Sequence, residues 1–135
     1  MAAWLLKTEP STYAFSDLVR EKQTRWDGIT NPVALRYLRQ AQTGETAVVY
    51  HTGDERRCVG LARISKPAYA DPRNDKLVVV DLEARDALAT PVTLAALKAD
   101  PAFADSPLVR QGRLSFVPLT DAQLASILAL AAGGG

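Results

Sequence analysis

The sequence predicts a mixed α+β fold organised as a small β-barrel or a strongly bent sheet with helices around it. Three observations lead there. Short strand-like segments recur along the chain with helix-forming segments inserted between them, the interleaving expected of an α+β domain. The strands are few, and a barrel or a bent sheet hides the edges that so few strands would otherwise expose. Finally, the 135 residues contain no internal repeat and no linker long enough to divide them. Residues 1–132 are therefore read as one domain, a normal size for a single core, and 133–135 as a flexible tail.

The elements follow in order. Ala3 to Thr8 is apolar and ended by Glu9-Pro10, which predicts a first strand. Ser16 is the expected N-cap of a short helix through about Lys22, with Asp17 in its first turn. The stretch Trp26-Asp27-Gly28-Ile29-Thr30-Asn31-Pro32 reads as a loop with a tight turn at Gly28. Asn31 would cap a second helix, with Pro32 at its first position, where a missing N–H costs nothing. Ala34, Leu35 and Leu38 form the apolar stripe of that helix.

Thr46 to Thr52, rich in β-branched and aromatic residues, predicts a strand. Gly53 to Arg56 connects it to a partner strand, Arg57 to Lys66. There Cys58, Gly60, Ala62 and Ile64 should face inward, because Arg63 in the alternate set prefers water. Ala70 to Asp75 reads as a loop, and Leu77 to Arg85 as a strand with Val78, Val80, Leu82 and Ala84 on one face. Thr93 caps a short helix through Lys98, broken at Asp100-Pro101. An irregular turn runs to Gln111-Gly112, and Arg113 to Leu119 is the last strand. Thr120 and Gln123 make a capping box for a helix through about Ala131.

Charge and composition exclude several functions. Lys and Arg total 16 against 15 Asp and Glu, a net charge of +1. That balance argues against wrapping long DNA by phosphate neutralisation alone, although a local basic rim remains compatible with it. Cys58 is the only cysteine and His51 the only histidine, so neither an internal disulfide nor a Cys/His metal site is expected. No cofactor is implied. The N-terminus lacks the basic start and apolar core of a signal peptide, and no apolar run approaches the ~18 residues of a membrane span. The expected setting is a soluble, reducing compartment, most simply the cytoplasm, with no membrane partner. A composition rich in Ala and Arg with little Lys points to a high-GC bacterium. Oligomeric state is left open.

The candidate site residues each carry two readings. Trp26 is a large ring between polar neighbours, either a core residue or a wall on which a base stacks, worth roughly 1–3 kcal/mol. Trp4, among apolar neighbours, is read as core. Tyr50, His51 and Thr52 alternate along a strand, so they share one site only if the strand bends or ends there, which Gly53 permits. His51 is a satisfied structural residue or a hydrogen-bonding group for a base edge or phosphate. Asn31 caps a helix, with an amide nitrogen left to donate to a base. Asp27 closes an Asx-turn or accepts from an exocyclic amine. Lys7 interrupts an apolar strand, which places it at an edge or a mouth, where it would reach phosphate. Arg36, Arg39, Arg56, Arg57, Arg110 and Arg113 are candidates for a basic rim, or ordinary solvated charges.

Several segments together carry a family resemblance: Trp4-Leu5-Leu6-Lys7-Thr8-Glu9-Pro10, Trp26-Asp27-Gly28-Ile29-Thr30-Asn31, Val49-Tyr50-His51-Thr52, Val59-Gly60-Leu61-Ala62, Pro91-Val92-Thr93-Leu94, and Pro107 to Ser115. In order and spacing the chain resembles the EVE domain family of the PUA-like superfamily. The resemblance implies a PUA-like pseudobarrel with peripheral helices. It also implies a non-catalytic module that recognises a modified base in DNA or RNA through an aromatic pocket, and it brings Ser115 toward that pocket. The chain departs from the family pattern at Thr30, where an Arg is usual, at Pro32, where a Tyr or His is frequent, and at Thr52, where a Ser is common. Arg25, just before Trp26, is the candidate replacement for the missing Arg.

Two other functions are weighed against the reader. One is an enzyme on a small nucleotide-like metabolite, with Asp27 and His51 as the acid/base pair. The other is an interaction scaffold whose pocket is vestigial. A concave site bounded by Trp26, Asn31, Tyr50, His51 and Thr52 is the feature that would separate them.

Overall fold

A continuous apolar run has to be covered on both faces, and the first strand shows the consequence. β1 (Ala3–Thr8) lies parallel to β3 (Thr46–His51) on one side and antiparallel to β6 (Phe116–Leu119) on the other. Its residues Ala3 to Leu6 are all buried, as expected for a strand with no face to water. The computed structural model describes residues 2–104, 106–110 and 114–132, so the predicted tail at 133–135 lies outside the described residues. Between and after these strands come α1 (Phe15–Glu21), β2 (Gln23–Trp26), α2 (Pro32–Leu38), β4 (Arg57–Asp71), β5 (Asn74–Thr93), α3 (Leu94–Ala99), α4 (Pro107–Arg110) and α5 (Asp121–Ala131). The strands form one six-stranded mixed sheet in the order β2-β5-β4-β3-β1-β6.

The sequence predicts a small barrel or a strongly bent sheet, and the ladders describe the more open of the two. β2 and β6 are the two edges, and among the described residues no ladder joins them. The sheet nevertheless curls. Residues at the end of β1 (Lys7, Thr8) and at the end of β2 (Thr24 to Trp26) line one cleft, although three strands separate β1 from β2. Register shifts along β4 at its pairing with β5, and one at Val49/Tyr50 between β3 and β4, supply the bends.

Two glycines show what the local geometry requires. Gly28 takes a φ of +84°, the left-handed conformation at which a side chain is strained. Gly60 is a close approach: a Cβ there would meet the Phe15 ring at 2.3 Å. The first turn of α1 therefore lies directly on the backbone of β4.

Several expectations need correction. α1 is capped at Ala14, not Ser16, because the Asp17 carboxylate reaches back to the Ala14 N–H at 2.8 Å and starts the helix early. Trp26 closes a short strand that pairs with β5 (Trp26 opposite Val80) and does not lie in a free loop. The stretch 70–75 is the tip of the long β4–β5 hairpin, turned by Asp71, whose Oδ1 accepts the Arg73 N–H at 2.9 Å. The last strand begins at Phe116. The Lys7 N–H still donates to the Ser115 carbonyl at 2.8 Å just before it. The Thr120–Gln123 capping box on α5 forms in both directions, at 2.9 and 3.1 Å.

Candidate functional site

The ends of β1 and β2 and the Gly28 turn leave a cleft of about 580 Å³, within the range of small-molecule sites. Its lining includes Lys7, Thr8, Glu9, Tyr13, Arg25, Trp26, Asp27, Gly28 and Ser115. Of the residues singled out from sequence, Lys7, Arg25, Trp26, Asp27 and Ser115 therefore meet there.

Trp26 sits at the boundary between core and cleft. It is 8% exposed and belongs to the core cluster, yet it also lines the cleft. The Tyr13 ring stands against it edge to face, 5.8 Å between centroids at 76°. Tyr13 was missed in the sequence because its neighbours Ser11 and Thr12 read as a plain connection. Its hydroxyl donates to Glu21, and burial, with that carboxylate, pushes the phenol up to about 12.

Lys7 is half-buried, with its ammonium 5.7 Å from the centre of the Tyr50 ring. Burial draws its pKa below the ordinary lysine value of 10.5. Asp27 does not close an Asx-turn. Its Oδ2 instead accepts from the Arg73 guanidinium at 2.6 Å, across 46 residues of sequence. Arg73 comes from the hairpin tip and was not singled out, since a loop arginine carries no sequence signal of its partner. Arg25 is exposed and faces the Tyr69 hydroxyl, with Asp71 and Asp81 nearby.

The remaining candidates lie elsewhere, each for a definite reason. Asn31 caps α2 and does not line the cleft: its Oδ1 accepts from the Val33 and Ala34 N–H groups at 2.8 and 3.2 Å. His51 is buried, and both ring nitrogens are engaged. Nε2 accepts the Phe15 N–H at 3.0 Å, which leaves Nδ1 to donate to Glu55 at 3.0 Å. The histidine thus pins the start of α1 to the sheet beside Gly60, and the hydrogen bond it gives holds the Glu55 carboxyl below its ordinary range. Tyr50 is 3% exposed, under Lys7. The Thr52 hydroxyl turns toward the Thr8 carbonyl and Glu9, each at 3.4 Å. None of these four lines the cleft, so the boundary expected from sequence is replaced by one drawn from β1, β2 and the segment between Glu9 and Tyr13.

The acid/base pairing of Asp27 with His51 is likewise not assembled, because His51 faces Phe15 and Glu55. Burial pushes the Cys58 thiol up to about 12, so the sulfur stays protonated. Among the rim candidates, Arg36, Arg39 and Arg56 are exposed. Arg57 pairs with Glu55 at 3.2 Å, and Arg110 donates to the Ala104 carbonyl at 3.4 Å; Arg113 lies outside the described residues. Among the described residues no group of three His, Cys, Asp or Glu is arranged to hold a metal, and no helix is long and apolar enough to cross a membrane.

The architecture is thus an α+β fold, a curled mixed sheet with a cleft at the ends of β1 and β2. The EVE domain family model matches residues 2–130, and the chain belongs to that family. Human thymocyte nuclear protein 1 is 38% identical in a match covering 50% of this chain and 36% of the human protein. The chain thus spans about a third of the length of that relative. A Rhodopseudomonas palustris protein solved by NMR superposes with a TM-score of 0.92 at 35% identity, covering 98% of this chain and 94% of the other. The human THYN1 protein, solved in complex with 5-methylcytosine-containing DNA, superposes with a TM-score of 0.88 at 27% identity, covering 97% and 98% of the two chains.

Proposed function

We propose that the protein is a non-catalytic reader that binds DNA by taking one modified base into the Trp26 cleft. The observation that carries this is the cleft itself: an aromatic wall of Trp26 backed by Tyr13, with Lys7 and Asp27 on the same lining. The human relative solved with 5-methylcytosine-containing DNA supports the choice of partner. In this reading residues 1–132 are one domain, the curled sheet is a PUA-like pseudobarrel, and the protein works in the cytoplasm.

The physical chemistry sets its strength. Removing a base from a duplex costs a few kcal/mol, so an unpaired or single-stranded base binds more readily than a stacked one. Stacking on an aromatic ring returns roughly 1–3 kcal/mol.

The test is fluorescence anisotropy with a labelled single-stranded oligonucleotide carrying one 5-methylcytosine. Trp26→Ala should weaken binding by about tenfold or more, the loss of one stacking surface. Because Trp26 also packs in the core, Trp26→Phe is measured beside it, with thermal unfolding of both. Phe keeps a ring, and its affinity should fall between the other two. Equal affinity of wild type and a folded Trp26→Ala overturns the proposal.

A further inference from the structure

We infer that the cleft selects bases bearing an exocyclic amine, with Asp27 as the acceptor and Arg73 as the residue that positions it. The inference rests on the base-binding reading above and goes beyond it, to the chemical class of base.

Among the described residues, the carboxylates on the cleft lining are Glu9 and Asp27. Glu9 is occupied locally: Oε1 accepts from the Ser11 N–H and hydroxyl, and Oε2 from the Thr52 hydroxyl. Asp27 differs. Its one partner among the described residues is Arg73, on Oδ2, so Oδ1 keeps its acceptor capacity. The side chain is 39% exposed and accessible from solvent.

Arg73 is itself held. Asp71, 4% exposed, accepts the Arg73 N–H at 2.9 Å and faces its guanidinium at 3.6 Å. A buried carboxylate thus anchors the arginine, and the arginine fixes Asp27 beside the left-handed turn at Gly28. Holding the carboxylate in one orientation lowers the cost of ordering it when a ligand arrives.

A carboxylate accepts and does not donate. It complements an amino group such as N4 of cytosine, and it repels the carbonyl oxygen that thymine carries at the same place. The cation Lys7 on the same lining complements a ring carbonyl. 5-Methylcytosine and thymine carry the same methyl group and differ only in the 4-amino against the 4-oxo group and in the N3 proton. They therefore isolate the contact.

The experiment measures affinity for two single-stranded oligonucleotides identical except for 5-methylcytosine or thymine at one position. Wild type should favour 5-methylcytosine by on the order of 10- to 100-fold, the effect of one hydrogen bond to a charged acceptor against an unfavourable contact. Asp27→Asn, whose amide can donate, should bring the ratio close to one. Arg73→Ala should lower the ratio without abolishing binding, and Arg73→Lys should restore part of it. A purely structural role for Arg73 would weaken both ligands alike and leave the ratio unchanged, which overturns its positioning role. Equal binding of both oligonucleotides by wild type, or a preference for thymine through its N3–H, overturns the amine selection while leaving the base-binding reading intact. Binding of neither overturns both.

Discussion

Lys7 is costly where it stands, which makes it the most informative single side chain in the cleft. It interrupts a buried strand, and burial holds its pKa below 10.5. In the window between its folded pKa and 10.5 the unfolded chain binds more protons. The contribution of Lys7 to stability therefore rises with pH across that window, and below it the fold carries the cost of the desolvated charge. Lys7→Met removes that cost. We expect its melting temperature at neutral pH to equal or exceed that of wild type, and its advantage over wild type to shrink toward pH 10, on top of the alkaline loss that the raised Cys58 and Tyr13 groups give both proteins. Binding of the 5-methylcytosine oligonucleotide should weaken in the same variant. Thermal unfolding between pH 7 and 10, beside anisotropy, checks both halves, and a clear loss of stability at pH 7 would contradict the argument. The other polar candidates show why residue type alone misleads. Asn31 and His51 have the groups a base would need, but backbone N–H groups engage them, from the next residues for Asn31 and from Phe15, 36 residues away, for His51. Asp27 reads as equally local in sequence, yet its partner Arg73 lies 46 residues away.

Among the elements, β4 and its long hairpin with β5 connect the fold to the cleft. The face carrying Cys58, Gly60, Ala62 and Ile64 was legible from alternation and is buried as expected. What alternation did not reveal is the length of the hairpin. Pro67 and Pro91 lie within the paired strands and Pro72 at the turn between them, where bulges and the turn accommodate the missing N–H groups. β2 was illegible for a related reason: four residues with one buried position carry no period, and only pairing with β5 makes them a strand. Helix ends were clearer, because the Asn31 and Thr120 caps are local chemistry. Gly60 marks where α1 meets the sheet, with the Phe15 ring occupying the space of a Cβ. Gly60→Ala should therefore cost about 1–3 kcal/mol through overpacking, read as a lower urea midpoint. In a Phe15→Leu background the same substitution should cost less, since the clashing ring is gone. Equal costs in the two backgrounds would mean that the contact does not set the packing of α1.

On the proposed base-binding function, the charge of the whole chain sets how it would hold DNA. With a net charge of +1 the chain carries almost no overall positive excess, and the described cations near the cleft are partly committed. Arg73 pairs with Asp27, Arg25 faces Tyr69 with Asp71 and Asp81 nearby, and Lys7 is half-buried. Affinity should come from one base held deeply, with only one or two phosphates neutralised. For single strands each neutralised phosphate contributes a slope of about −0.7 in log K against log salt. The expected slope for the 5-methylcytosine oligonucleotide is therefore between about −0.7 and −1.4. Arg25→Ala should make it shallower if that residue supplies one of the contacts. Titrations from low to physiological salt measure it directly. A slope of about −4 or steeper would require a broad basic surface, and the base-led mode of binding would have to give way to a phosphate-led one.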